Sequence, residues 1–173
     1  MAIAEVLFRE ITEADIRKIN ASSNDSQTGG GARDLRFGID FAPVLNRLFS
    51  EEIVYEGRTP YRVGVFEHYH ANGERTSEQV RYAFQPTNAR PGEVRIAQIN
   101  KINFFMDLPE VCDADGILFI ALIRKTEGFP QAQYLTERQI GASGSNPIIA
   151  AVMREAIRKR KGRNAVVFSV ELK

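Results

Sequence analysis

Apolar positions along this chain recur with two periods, and they divide it into elements before any composition is considered. Residues 4–8 alternate as a strand, and the helix that follows carries Ile11, Ile16 and Ile19 on one side behind a Thr12-Glu13-Ala14-Asp15 start that resembles a capping box. Residues 37–41 fit a strand, and Phe41, Val44, Leu45, Leu48 and Phe49 repeat at helical spacing. Beyond them the pattern turns to strands. Residues 62–70 set Val63, Val65 and Glu67 against Gly64, Phe66 and His68. Asn72-Gly73 is the signal of a tight hairpin, with residues 79–84 as the returning strand. A loop at 85–92 holds two prolines, and residues 94–102 resume a strand with Val94 and Ile96 on one face. Residues 116–124 are almost continuously apolar, which predicts a strand buried on both faces, and 132–135 form a short strand. Asn146 and Pro147 open a final helix with Ile148, Ile149, Val152, Ala156 and Ile157 as its stripe, Gly162 ends it, and 165–172 form the last strand.

Many strands with helices near the ends of the chain predict an α+β domain with a mainly antiparallel sheet or barrel. The chain has 173 residues, 43% of them hydrophobic, enough for one domain with a core that needs no staples. The expectation is therefore a single domain over residues 1–173. No apolar run reaches the roughly 20 residues of a membrane span, and the first eight residues are too short for a signal peptide. With one cysteine, Cys112, an internal disulfide is excluded and a cytoplasmic location is expected.

Net charge is +1, but its distribution is uneven. Residues 79–106 hold Arg81, Arg90, Arg95 and Lys101 against Glu93, and 153–163 hold six basic residues against Glu155. The segment with the most unusual chemistry is Ser22-Ser23-Asn24-Asp25-Ser26-Gln27-Thr28-Gly29-Gly30-Gly31-Ala32-Arg33-Asp34-Leu35-Arg36. Three successive glycines add chain entropy and no buried surface, so core packing does not account for them. A nucleotide phosphate loop would need a lysine after the glycines, which is missing. Two readings remain open on the residues alone: a surface turn region, or a loop whose backbone N–H groups and Arg33 and Arg36 meet an anion such as phosphate.

Arg90, Glu93 and Arg95 sit at the exit of the two-proline loop. Arginine can fork onto guanine O6 and N7, and glutamate can accept from cytosine N4, so the trio can read a G·C pair. The competing reading is a surface ion pair between Glu93 and Arg95. The basic residues Arg154, Arg158, Lys159, Arg160, Lys161 and Arg163 fit a solvated helix end that complements the helix dipole. His68 and His70 share a strand face without an evident third metal ligand. Glu171-Leu172-Lys173 mimics half of a metal-dependent nuclease site whose upstream carboxylate would have to be Asp113 or Asp115, and Cys112 has no patterned partner for nucleophilic work.

The order of several of these motifs resembles the N-terminal effector-binding domain of the EcoRII restriction endonuclease. Ile16-Arg17-Lys18-Ile19, Ser23-Asn24-Asp25, Thr28-Gly29-Gly30 and the amphipathic segment ending in Leu48-Phe49 match its opening. Residues 62–79 resemble its first long hairpin, 82–100 with Glu93-Val94-Arg95-Ile96 its second arm, and 117–124 its next buried strand. The likeness covers about two thirds of the chain, and Asn-Asp-x2-Thr-Gly-Gly is its most specific element. It implies a DNA-binding pseudobarrel, a seven-stranded open barrel with flanking helices that grips duplex DNA in the major groove with two arms, here residues 24–36 and 88–95. The contacts expected in these arms fall on Asn24, Asp25, Thr28, Gly29, Gly30, Arg33, Arg36, Arg90, Glu93 and Arg95, with Arg33, Arg36, Arg90, Glu93 and Arg95 as the readers and Lys101, outside the arms, as a phosphate contact.

Two departures limit the transfer. After Thr28-Gly29-Gly30 the family pattern continues with His-Gln where this chain has Gly31-Ala32, and Val94 replaces a basic residue of the second arm. The family's recognition sequence therefore does not carry over. The separate nuclease domain of that enzyme has no counterpart up to Lys173, so the expectation is a recognition domain, not itself an enzyme, in a restriction, antiviral-defence or transcription-control setting. It would need no cofactor, would bind double-stranded DNA of defined sequence or modification, and would leave any cutting to a separate nuclease or effector subunit. A small metal-dependent nuclease and a protein-interaction module are the alternatives.

Overall fold

A computed structural model of the chain describes residues 2–20, 34–58, 60–69, 75–82, 90–97, 113–141, 154–155, 158 and 164–172. The chain is α+β, and its main sheet is mixed. Its backbone gathers into two compact units that interleave along the sequence: residues 1–12, 67–76 and 107–173 form one, and 13–66 with 77–106 the other. Neither unit is a continuous segment.

In the first unit, β1 (Ala2–Glu10), β7 (Leu118–Lys125), β8 (Gln131–Thr136) and β9 (Ala165–Leu172) pair in the order β8-β7-β1-β9, all antiparallel. The end of β4 (Tyr61–Tyr69) adds to β8 in parallel through Glu67 and His68. The register places Ala4, Val6 and Phe8 of β1 on one face with Phe119, Ala121 and Ile123 of β7 and Leu135 of β8, and these seven side chains form one buried cluster. Phe8 stacks on Phe119 with ring centroids 4.4 Å apart. Burying each such ring contributes about 1.5–3 kcal/mol. Leu118–Ile123 are all buried, as the apolar run predicts, although β7 lies between two antiparallel neighbours.

A helix that the apolar periodicity leaves out, α3 (Glu137–Gly141), follows β8 directly. Thr136 Oγ1 accepts from the Gln139 N–H at 3.2 Å while Gln139 Oε1 accepts from the Thr136 N–H at 2.9 Å, a reciprocal capping box. Just before β7, Gly116 sits at φ +72, and a Cβ there would also collide with the Glu137 side chain, whose Oε2 accepts the Ile117 N–H at 2.9 Å.

The second unit holds α1 (Glu13–Asn20), β2 (Leu35–Gly38), a 3-10 turn at Ile39–Phe41, α2 (Ala42–Leu48), β3 (Glu51–Ile53), the start of β4, and β6 (Glu93–Ile96). β5 (Arg75–Tyr82) pairs with β4. The strand expected over 37–41 begins earlier and ends at Gly38, because Pro43 at the start of α2 and the 3-10 turn before it already commit the chain to helical backbone. On β4, simple alternation fails: Val63, Gly64, Phe66 and Glu67 are all buried. Gly64 explains why. A Cβ there would lie 2.8 Å from the Leu48 carbonyl oxygen and 2.9 Å from the Phe49 ring, so the missing side chain lets the end of α2 press onto the strand. Phe49 then packs on Phe66 with centroids 4.9 Å apart, and Arg62 Nε donates to the Phe49 carbonyl at 2.7 Å.

Among the described residues no helix is long and apolar enough to cross a membrane. The expected Asn72-Gly73 turn, His70, Cys112 and most of the final helix lie outside the described residues.

Candidate nucleic-acid interface

β2 and β6 form a two-stranded antiparallel ribbon with Leu35 opposite Ile96, Arg36 opposite Arg95, Phe37 opposite Val94 and Gly38 opposite Glu93. Alternation sorts its faces: Leu35, Phe37, Val94 and Ile96 are buried, and Arg36, Glu93 and Arg95 stand on the other face. The ribbon thus anchors one apolar face and presents a row of charges on the other.

Two arginines at one rung repel, and each is balanced by a carboxylate. Arg95 Nη1 donates to Asp34 Oδ2 at 3.0 Å, where the arginine side chain is 25% exposed and the aspartate 3%. Arg36 Nη1 lies 3.4 Å from Glu93 Oε2, and Arg90 Nη1 lies 3.6 Å from Glu93 Oε1. These side chains are more open: 34% for Arg36, 36% for Glu93 and 60% for Arg90. Among the described residues of this face, three guanidiniums stand against two carboxylates, one net positive charge. The Glu93–Arg95 ion pair considered from the sequence does not form. Long side chains reach across the strands instead of two places along one.

The turn that carries Arg90 is stiff. The Glu93 N–H donates to the Arg90 carbonyl at 3.1 Å, closing Arg90-Pro91-Gly92-Glu93 with proline fixing φ at its second position. The Gly92 carbonyl accepts from the Ile39 N–H at 2.8 Å, which ties the turn to the residues after β2. From α1, Lys18 Nζ donates to the Asp34 carbonyl at 3.4 Å and lies 3.8 Å from the buried Asp15.

Of the residues singled out from the sequence, Arg36, Glu93 and Arg95 are therefore brought together on one face of one ribbon, and Arg90 approaches Glu93 from the turn before β6. Asn24, Asp25, Thr28, Gly29, Gly30, Arg33 and Lys101 lie outside the described residues. Asp34 and Lys18 were missed by sequence reasoning. The signal for Asp34 was its place among arginines, in Arg33-Asp34-Leu35-Arg36, but its partner is 61 residues away.

Elsewhere, Arg158 makes two hydrogen bonds to Glu155, at 2.9 and 2.5 Å, and that hydrogen bonding and charge raise its pKa, so this part of the basic helix end is internally paired. Among the described residues no group of three or more His, Cys, Asp or Glu side chains is placed to hold a metal ion. No protein-family model, curated protein or solved structure matches the chain.

Proposed function

We propose that the chain recognises duplex DNA, by sequence or by base modification, through two arms at residues 24–36 and 88–95, and does not itself cut it. The observation that carries this reading is the buttressed arginine. Arg95 is held at Nη1 by a carboxylate buried at the foot of the ribbon, beside Arg36 and the exposed Arg90 on a proline-stiffened turn. A guanidinium has five N–H donors, so Nη2 and the second hydrogen of Nη1 are still free to serve a guanine edge. Fixing the side chain beforehand lowers the entropy lost on binding, which favours base reading over loose phosphate contact.

In this reading Arg95 is the base reader, Arg36 and Arg90 flank it, and Lys101 contacts phosphate. The other arm, with Asn24, Asp25, Thr28, Gly29, Gly30 and Arg33, offers backbone N–H groups and one guanidinium to the sugar-phosphate backbone. The sequence likeness to the EcoRII effector-binding domain supports the same assignment and extends it to a seven-stranded open pseudobarrel acting as one domain in the cytoplasm, with a separate nuclease or effector subunit as its partner. The setting would be restriction, antiviral defence or transcription control.

Selection from a random duplex library, methylated and unmethylated, tests the reading. Enrichment of a short motif, with the selected duplex remaining intact in magnesium or manganese, is the expected result. An unenriched pool, or cleavage abolished by Glu171→Ala, would count against it.

A further inference from the structure

The carboxylate of Glu93 lies between two guanidiniums and gives one oxygen to each. Its Oε2 is 3.4 Å from Arg36 Nη1, and its Oε1 is 3.6 Å from Arg90 Nη1. Both distances exceed the roughly 2.7–2.9 Å of a tight charge-assisted hydrogen bond. All three side chains are a third or more exposed. Ion pairs this open contribute little net stability, so another anion can replace the carboxylate at small cost. Arg36 comes from β2 and Arg90 from the turn that leads into β6, which is tied to the residues after β2 by the Ile39–Gly92 hydrogen bond, so the backbone brings both near Glu93.

We propose that Arg36 and Arg90 form a phosphate clamp and that Glu93 is its resident surrogate, an intramolecular carboxylate that a phosphodiester displaces. The identity of the incoming anion rests on the proposed DNA reading, whereas the clamp itself rests on the geometry. Glu93 is then not a reader of cytosine. It lowers the affinity of the clamp for every anion equally, so that only a ligand engaging the rest of the interface displaces it. The internal competitor thus raises the affinity a ligand must reach to occupy the clamp, without changing the ratio between two ligands that both use it. Removing its charge takes the ribbon from one net positive charge to two.

The test uses the full chain, as wild type, Glu93→Gln, Arg36→Ala/Glu93→Gln and Arg90→Ala/Glu93→Gln, with two probes: a random-sequence duplex, followed by fluorescence anisotropy, and inorganic tripolyphosphate, followed by calorimetry. Glutamine keeps the shape of the side chain on an open face, and a thermal melt checks each fold. Glu93→Gln should bind both probes about three- to tenfold more tightly at low salt, with a steeper log-log salt slope on DNA. Either arginine deletion should remove that gain. Unchanged or weaker binding of both probes by Glu93→Gln would overturn the clamp. Loss confined to a selected site, with random duplex unaffected, would overturn it in favour of base reading by Glu93. Tripolyphosphate binding enhanced by Glu93→Gln in a chain that binds no duplex would uphold the clamp and refute the DNA reading.

Discussion

Arg36 and Arg95 stand directly opposite each other across the β2–β6 ribbon, two like charges on one rung. Such a pair is unfavourable by itself. It persists because Arg95 is tied to Asp34 at 3.0 Å and Arg36 to Glu93 at 3.4 Å. The two ties are unequal. One ends on a buried aspartate, the other on a half-exposed glutamate, so one guanidinium is fixed and the other can exchange its partner.

Stability should register that inequality. Asp34→Ala removes a buried hydrogen-bond acceptor and leaves Arg95 without its carboxylate, and is expected to cost about 1–3 kcal/mol in urea unfolding. Glu93→Ala breaks only open ion pairs and should stay within about 0.5–1 kcal/mol. Equal losses, or a larger loss for Glu93, would mean that the ribbon is held differently.

Two glycines of the same unit should respond oppositely to alanine. A Cβ on Gly64 would meet the Leu48 carbonyl oxygen and the Phe66 ring at 2.8 Å each, so Gly64→Ala should destabilise by about 1–3 kcal/mol through overpacking. Gly92 has no atom within 4 Å of such a Cβ and no left-handed φ. Gly92→Ala should be neutral or stabilise by up to about 0.4–1 kcal/mol by restricting the unfolded chain. Thermal melts of the two variants compare them directly.

How far the sequence carried the fold depended on whether a signal was local. The apolar runs of β7 and β9 and the stripe of α2 are properties of a few adjacent residues, and they located those elements closely. Alternation of Val94 with Arg95 likewise indicates which side chains face outward, whereas Leu35 and Arg36 read as the end of the glycine loop and prove to begin β2. Alternation does not fix register, and one step of slippage would have put Arg95 opposite a different residue. The Arg95–Asp34 contact was hidden for that reason. The capping box of α3 was fully local, in Thr136-Glu137-Arg138-Gln139, but a five-residue helix has too short an apolar stripe for periodicity to reveal it.

That cap is open to direct test. Thr136→Ala removes the acceptor for the Gln139 N–H and should lower stability by about 0.5–2 kcal/mol, while Thr136→Ser should retain most of it. Hydrogen exchange of the α3 amides should accelerate in the alanine variant and change little in the serine variant. Identical exchange in both would mean that the cap contributes nothing.

The two arms should separate by role. Arg33→Ala, on the glycine arm, is expected to weaken binding to all duplexes alike. Arg95→Ala should cost about 1–3 kcal/mol on a selected site and little on random DNA, relaxing specificity at one base position. Because Arg95 also pairs with Asp34, Asp34→Asn serves as a control that keeps the guanidinium but loosens its buttress. If Arg33→Ala collapses the specificity ratio and Arg95→Ala leaves it unchanged, the assignment of the arms is reversed.

The central claim is that the charged ribbon serves duplex DNA, and fluorescence anisotropy with a labelled duplex and its separated strand, each titrated across a range of salt, measures it most directly. Contact with about 4 to 6 phosphates predicts tighter binding to the duplex and a log-log slope of roughly −4 to −5. Equal affinity for both forms, or an affinity that does not change with salt, would contradict it.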